Sequence, residues 1–200
     1  MTAARHLAIM AREPRLGVGK RRLARELGDL AAVRFQRLAT ARLVRRLGSD
    51  PRWRTHLVVT PGRAAYRRAL PKARGVEIRP QGRGDLGERL TRVVRTLPRG
   101  PVVVIGTDQP DVRPEHVARA FAALGRADAV LGPAADGGYW LVGLARRPAL
   151  RAPFTGIRWG GPHALADTLA AFRAAGLSVA LLETLADVDT AADVRPHHWR

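Results

Sequence analysis

Apolar runs alternate with segments of helical period along the whole chain. Strand-like stretches fall at 6–11, 55–60, 75–79, 101–106, 127–131, 139–144 and 177–182. The run Val102-Val103-Val104-Ile105 has no polar interruption, which predicts a strand covered on both faces. Helical patterns occupy 21–47 with a break near Gly28, then 62–70, 86–97, 114–124 and 162–175. Pro114 suits a first helical turn, and Gly125 and Gly176 suit C-terminal stops. Strands alternating with helices in this way predict an α/β domain with a mostly parallel central sheet. Since no linker, repeat or low-complexity segment divides the chain, residues 1–200 are expected to form a single domain, with 195–200 as a flexible tail.

Composition narrows the picture. At 200 residues and 21.8 kDa the chain can bury a sizeable core, and with no cysteine it has no disulfide framework, thiolate metal site or thiol nucleophile. The apolar stretch at 7–11 is too short for a signal-peptide core, and no run approaches a membrane span, so a soluble cytoplasmic protein is expected. The formal net charge of +18 invites a polyanionic partner. Its distribution qualifies that: 25 of the 35 Lys and Arg, but 7 of the 17 Asp and Glu, lie in residues 1–100, and the second half balances. Only Lys20 and Lys72 are lysines, a bias that genomic base composition explains. With aromatics at 5% there is no base-stacking platform, and no nucleic-acid partner is expected.

In a parallel sheet, ligands gather at the carboxyl ends of strands, and five segments there carry candidate chemistry. After the first strand, Gly17 and Gly19 allow a tight turn before Lys20 and Arg22 at a helix start, an arrangement that suits phosphate without being a P-loop. After the fourth strand comes Gly106-Thr107-Asp108-Gln109-Pro110-Asp111. A carboxylate at the end of a buried strand must meet water, cap a helix or hold a cation, and Asp108 is a candidate metal ligand, whereas Asp111 reads equally as a cap. In Asp187-Val188-Asp189-Thr190 the two aspartates share one side of an extended backbone and would complete a magnesium site, although Asp189 or Thr190 could instead cap a short helix. Gln81, Gly82, Gly84 and Asp85 offer close backbone approach and polar groups able to read a base or sugar, while Glu88 and Arg89 read equally as a solvated helical pair. Finally, Asp136, Gly137, Gly138 and Tyr139 form a ligand-shaped turn or simply a hairpin feeding a strand. The histidines form no visible Ser/His/Asp or zinc constellation.

Taken in order, these segments resemble the nucleotide-diphospho-sugar transferase superfamily with the GT-A fold. The match is closest to the bacterial transferase 1 family of the radical-SAM/selenodomain-associated group, also named as an arsenosugar-biosynthesis glycosyltransferase. Its pattern P-x-x-G-x-x-K-x-R-L-A reads here as Pro14, Gly17, Lys20, Arg22, Leu23 and Ala24. It continues through Gln81 to Arg89, Gly106 to Asp111, Asp136 to Trp140 and Asp187 to Asp193. Two departures stand out: Arg21 where the family often has Thr, and Gly160-Gly161 in place of a usual Ser-Thr. The resemblance implies a Rossmann-like three-layer sandwich and a divalent cation, Mg2+ or Mn2+, on Asp108 with Asp189 and Asp187 nearby. It also implies nucleotide phosphates on the loop through Gly17, Gly19, Lys20 and Arg22, with Asp108 and Lys20 in catalytic roles. Gln81, Gly82, Gly84 and Asp85 would then read the nucleotide, and Asp136, Gly137, Gly138 and Tyr139 would line the sugar or acceptor pocket. The expected substrates are a nucleotide sugar and a small-molecule acceptor. The alternative is an NTP joined to a phosphorylated acceptor with pyrophosphate release, since Lys20-x-Arg22-Leu23 is similar to phospholactate guanylyltransferase. A non-catalytic polyanion binder is the outside alternative. No general base is legible, and the sequence leaves oligomeric state open.

Overall fold

The computed structural model describes residues 3–62, 75–146 and 154–199. Strands β1 (His6–Arg12), β2 (Arg54–Thr60), β3 (Val76–Pro80), β4 (Val102–Ile105), β5 (Ala129–Pro133), β6 (Tyr139–Leu144) and β7 (Val179–Leu181) form one sheet. Their spatial order is β3-β2-β1-β4-β6-β5-β7. Neighbours pair in parallel except at β6, which runs antiparallel to both β4 and β5. The reason is local: residues 134–138 join β5 to β6, and so short a connection makes a hairpin, never a parallel crossover. The sheet is therefore mostly parallel, as the alternating pattern predicts.

The helices are α1 (Arg21–Leu27), α2 (Asp29–Leu47), α3 (Leu86–Thr96), α4 (Pro114–Ala123) and α5 (Ala164–Ala174). The break at Gly28 falls where the sequence puts it. The helix expected at 62–70 lies almost wholly outside the described residues. Alternation along the strands sends Leu7 and Ile9 of β1 to one face and Ala8 and Met10 to the other. On the first face they meet Leu43, Val44 and Leu47 of α2 and Val117, Ala120 and Phe121 of α4. On the second, β2, β4, β5 and β6 residues meet Leu90, Val93 and Val94 of α3 and Ala164 and Phe172 of α5. The result is three layers, helix on sheet on helix. Each fully buried Leu, Ile or Phe in it contributes about 1.5–3 kcal/mol of burial energy.

A third, smaller cluster positions the site. Leu23 of α1, Phe35 and Ala39 of α2 and Val188 bury against one another. This couples the start of α1 to a segment 165 residues further along the chain. Residues 196–199, expected as a tail, form a 3-10 turn in which His198 is buried and Trp199 packs edge-on against Phe35.

Candidate active site

The loop after β1 turns back through Gly17 and Gly19, both at positive φ, and Lys20 itself adopts a left-handed conformation (φ 42°). A side chain on Gly19 would run into the Gln36 amide, which donates to the Val18 carbonyl. A non-glycine residue at positive φ costs on the order of 1 kcal/mol. Lys20 offsets that with its ammonium, which lies 2.8 Å from Asp108 Oδ1 and 2.9 Å from Asp189 Oδ1 and donates to the Val188 carbonyl at 2.6 Å. The Val188 N–H in turn donates to the Asp108 carbonyl. Three segments, each at a different place in the sequence, thus close on one nitrogen.

Burial alone would lower the pKa of that ammonium. The Asp108 and Asp189 carboxylates outweigh burial and hold it above the ordinary lysine value. Exposure is uneven: the Lys20 side chain is 5% exposed, those of Asp108 and Asp189 58% and 39%. Both carboxylates engage Lys20 through Oδ1, and their Oδ2 atoms have no partner among the described residues. Asp187 sits beside them, accepting from the Gln109 amide. Its pKa is pushed up to about 6, first by burial and then by the nearby negative charges of Asp136, Asp108 and Asp189.

These groups line a cavity of about 600 Å3 at the carboxyl edge of β1 and β4. Gly19, Lys20, Arg22, Gln81, Asp108, Tyr139, Asp187 and Asp189 all reach it. Gly17, Gly82, Gly84, Asp85, Asp136, Gly137 and Gly138 are not among its lining residues. The local structure accounts for several of these. Asp85 caps α3, accepting from the Glu88 N–H while Glu88 accepts from the Asp85 N–H. Asp136, Gly137 and Gly138 make the β5–β6 turn, with the Gly138 N–H on Asp136 Oδ1. Gly137 lies at φ 86° so close to the Pro162 backbone that any side chain would collide. Gln81, although it lines the cavity, spends both amide hydrogens on the Ala11 and Val58 carbonyls, at 3.0 Å each.

In Asp187–Asp193 the structure separates two roles that the sequence leaves mixed. Asp193 Oδ2 accepts from the Asp189 N–H, the Thr190 N–H and the Thr190 hydroxyl, so Thr190 and Asp193 close the turn. The Asp189 carboxylate is left for Lys20. Asp111 caps nothing: its two oxygens face His197 Nε2 at 3.1 Å and His198 Nε2 at 3.0 Å. Three such ligand atoms suggest a metal centre, and they are close enough for one. The His198 tautomer argues against it, because Nδ1 accepts the Arg195 N–H and the ring proton must therefore sit on Nε2, pointing at Asp111. The cluster is a clamp on residues 196–199.

Sequence reasoning gives no role to several residues of the cavity, among them Arg21, Phe35, Gln36 and Gln109. Arg21 and Phe35 line it, as does Gln36, whose Oε1 is buried without a partner among the described residues. Gln109 lines it too and donates to Asp187. A Gln inside the Gly106–Asp111 motif is the one signal that could have been read in advance; the contributions of Phe35 and Gln36 depend on how α2 folds back.

A three-layer, mostly parallel sheet with its cavity at the carboxyl edge is a fold of the nucleotide-diphospho-sugar transferase type. The chain belongs to the family described as uncharacterized protein conserved in bacteria (DUF2064), which it matches over residues 43–161. It is similar in structure to a protein of Desulfovibrio desulfuricans G20 assigned as a nucleotide-diphospho-sugar transferase. That similarity has a TM-score of 0.83 and 29% identity, over 93% of this chain and 82% of the other. It shares its fold with 4-diphosphocytidyl-2C-methyl-D-erythritol synthase from Anaerococcus prevotii DSM 20548 (TM-score 0.62, 12% identity, 95% of this chain and 94% of that one). It also shares it with Rv0371c of Mycobacterium tuberculosis H37Rv, solved in complex with manganese (TM-score 0.55, 19% identity, 96% of each chain). No curated protein matches the sequence.

Proposed function

We propose that this protein is a metal-assisted, nucleotide-dependent transferase that moves a glycosyl group from a nucleotide sugar to a small acceptor, within the arsenosugar-biosynthesis glycosyltransferase-like group. The observation that supports it is the meeting of Lys20, Arg21 and Arg22 with Asp108 and Asp189 in one cavity of about 600 Å3, a size that suits a nucleotide. The similarity at 29% identity to a nucleotide-diphospho-sugar transferase points the same way.

The donor set fits a hard divalent cation. It offers carboxylate oxygens, two of them without partners among the described residues, beside an Asp187 whose pKa is raised first by burial and then by the neighbouring carboxylates. Asp108 and Asp189 would hold Mg2+ or Mn2+, with Asp187 next to them. Such an ion, when bound, neutralises charge on a leaving diphosphate. Lys20 would turn from the carboxylates to phosphate oxygens, its charge secured by the site's negative potential. Arg22 and Arg21 would hold the outer phosphates, and Arg89 and Gln81 border the part of the cavity left for the base. Tyr139 would wall the sugar side.

A second reading, nucleotidyl transfer, is favoured by Arg21, a third cation where members of the resembled family often carry Thr. The discriminating experiment supplies Mg2+, each NTP or nucleotide sugar, and a phosphorylated or hydroxylic acceptor panel. Release of a nucleoside diphosphate supports glycosyl transfer, and pyrophosphate release supports nucleotidyl transfer. Failure of every nucleotide to bind in the presence of Mg2+ would overturn both.

A further inference from the structure

The α1–α2 hairpin and the loop leading into it carry exposed apolar side chains, none of them a group that the transfer site uses. Leu16 is 65% exposed and Leu30 78%, and with Val18 and Leu27 they make four of the six exposed large apolar side chains among the described residues. On the same stretch Arg15, Arg21, Arg22, Arg25, Arg34 and Arg37 are all exposed. The only carboxylates there are Glu26 and Asp29, and Glu26 accepts the Ala191 N–H. Arg21, Arg22, Arg25 and Arg37 have no carboxylate partner among the described residues.

These side chains fall within one short stretch of chain, residues 15–37. Seven residues of α1 span about 10 Å, with Leu16 and Val18 before its start, Leu27 as its last residue and Leu30 in the first turn of α2. Gln36 of α2 reaches back to the Val18 carbonyl, so the hairpin returns on itself. Exposed leucines interspersed with exposed arginines match an anionic bilayer, where apolar side chains enter the headgroup boundary and guanidinium groups meet lipid phosphates. Nucleic acid would satisfy the arginines and leave the leucines in water. A second copy of the same face would bring like charges together.

We propose that the α1–α2 hairpin docks this protein onto an anionic membrane surface through Leu16, Val18, Leu27, Leu30 and the surrounding arginines. Arg21 and Arg22 belong both to this face and to the cavity lining, so docking sets the cavity beside the lipid headgroups.

The test is co-sedimentation of the whole protein with phosphatidylcholine vesicles, with and without about 30% phosphatidylglycerol. Binding is expected only to the anionic vesicles, weakening on the order of tenfold between about 0.1 M and 0.5 M NaCl. Leu27→Gln/Leu30→Glu and Arg25→Glu/Arg37→Glu variants are expected to lose about tenfold in vesicle affinity with melting temperature and nucleotide binding unchanged. Equal binding to neutral vesicles, or wild-type binding by both variants, would overturn the proposal. So would a wild-type dimer dispersed by the leucine substitutions, or single-stranded RNA binding without vesicle binding. Nucleotide binding is read separately, so failure here leaves the transferase reading standing.

Discussion

Lys20 shows how much one side chain can carry. Its side chain is almost wholly buried while its ammonium draws together Asp108, Asp189 and the Val188 carbonyl. Lys20→Met keeps the stem and removes the charge, and nucleotide affinity measured by calorimetry is expected to fall on the order of tenfold or more, because a charge-assisted contact to phosphate contributes about 1.5–3 kcal/mol. Asp108→Asn keeps the volume and removes one negative charge. Its expected effect is loss of the Mg2+ dependence of nucleotide binding with an unchanged far-ultraviolet circular dichroism spectrum. A variant that still bound nucleotide in a Mg2+-dependent way would refute the role given to Asp108. Both residues stand in short motifs and are legible in the sequence. That Lys20 rests on the two carboxylates is not, since nothing in the motif spacing says that residues 20, 108 and 189 meet.

At the scale of elements, two contacts invite measurement. Asp111 accepts from the His198 Nε2–H, whose ring is buried, and this ties the 3-10 turn Pro196–Trp199 to the loop after β4. His198→Ala is expected to lower stability by about 1–3 kcal/mol, because it leaves a cavity and strands the Arg195 N–H. A melting temperature within a degree of wild type would show the turn to be dispensable. Between β1 and β2, His6 Nδ1 lies 3.0 Å from His56 Nε2, and both rings are buried. Burial lowers both pKa values, that of His56 to about 4, with the neighbouring His6 adding to the effect. A histidine whose folded pKa is depressed stabilises the fold fully above its unfolded pKa and loses that contribution as pH falls toward the folded value. The His56 contribution to stability should therefore be constant above about pH 6.5 and fall by on the order of 3 kcal/mol between about pH 6.5 and 4. Asp187, with its raised pKa, acts in the opposite sense over the same range in wild type and variant alike, so the contribution is read as the difference between wild type and a His56→Gln variant. Chemical denaturation of both proteins across that range checks it. The hairpin Asp136–Gly138 belongs to this scale too. Its Gly-Gly pair is legible as a turn, but a ligand loop and a turn use the same residues, and only the position of Pro162 shows why Gly137 must lack a side chain.

For the whole molecule, +18 charges on 200 residues mean self-repulsion, concentrated in the half that holds the phosphate loop. Salt screens such repulsion, so the melting temperature should rise by a few degrees as NaCl goes from about 0.01 M to 0.15 M, where the screening length falls from about 30 Å to 8 Å. A melting temperature that falls with salt would mean that attractive pairs such as Arg158–Asp167 dominate instead. What the sequence alone determined is the seven strands, the helices on either side of them among the described residues, and their layering. Strand-strength apolar runs and helical periods are local signals, and short-range sterics and burial decide them. It also determined which residue types could do chemistry, because glycines, cations and carboxylates fall at strand ends. The tertiary structure decided the rest. It reversed β6 through a short hairpin, gave Asp85 and the Asp136–Gly138 turn to capping and turning, set Thr190 and Asp193 to close a turn, and thereby left Asp189 free to meet Lys20. Those assignments depend on contacts between residues scores of positions apart. Their energies come from burial and charge pairing in three dimensions, and a linear pattern of side chains does not encode which of several suitable partners arrives first.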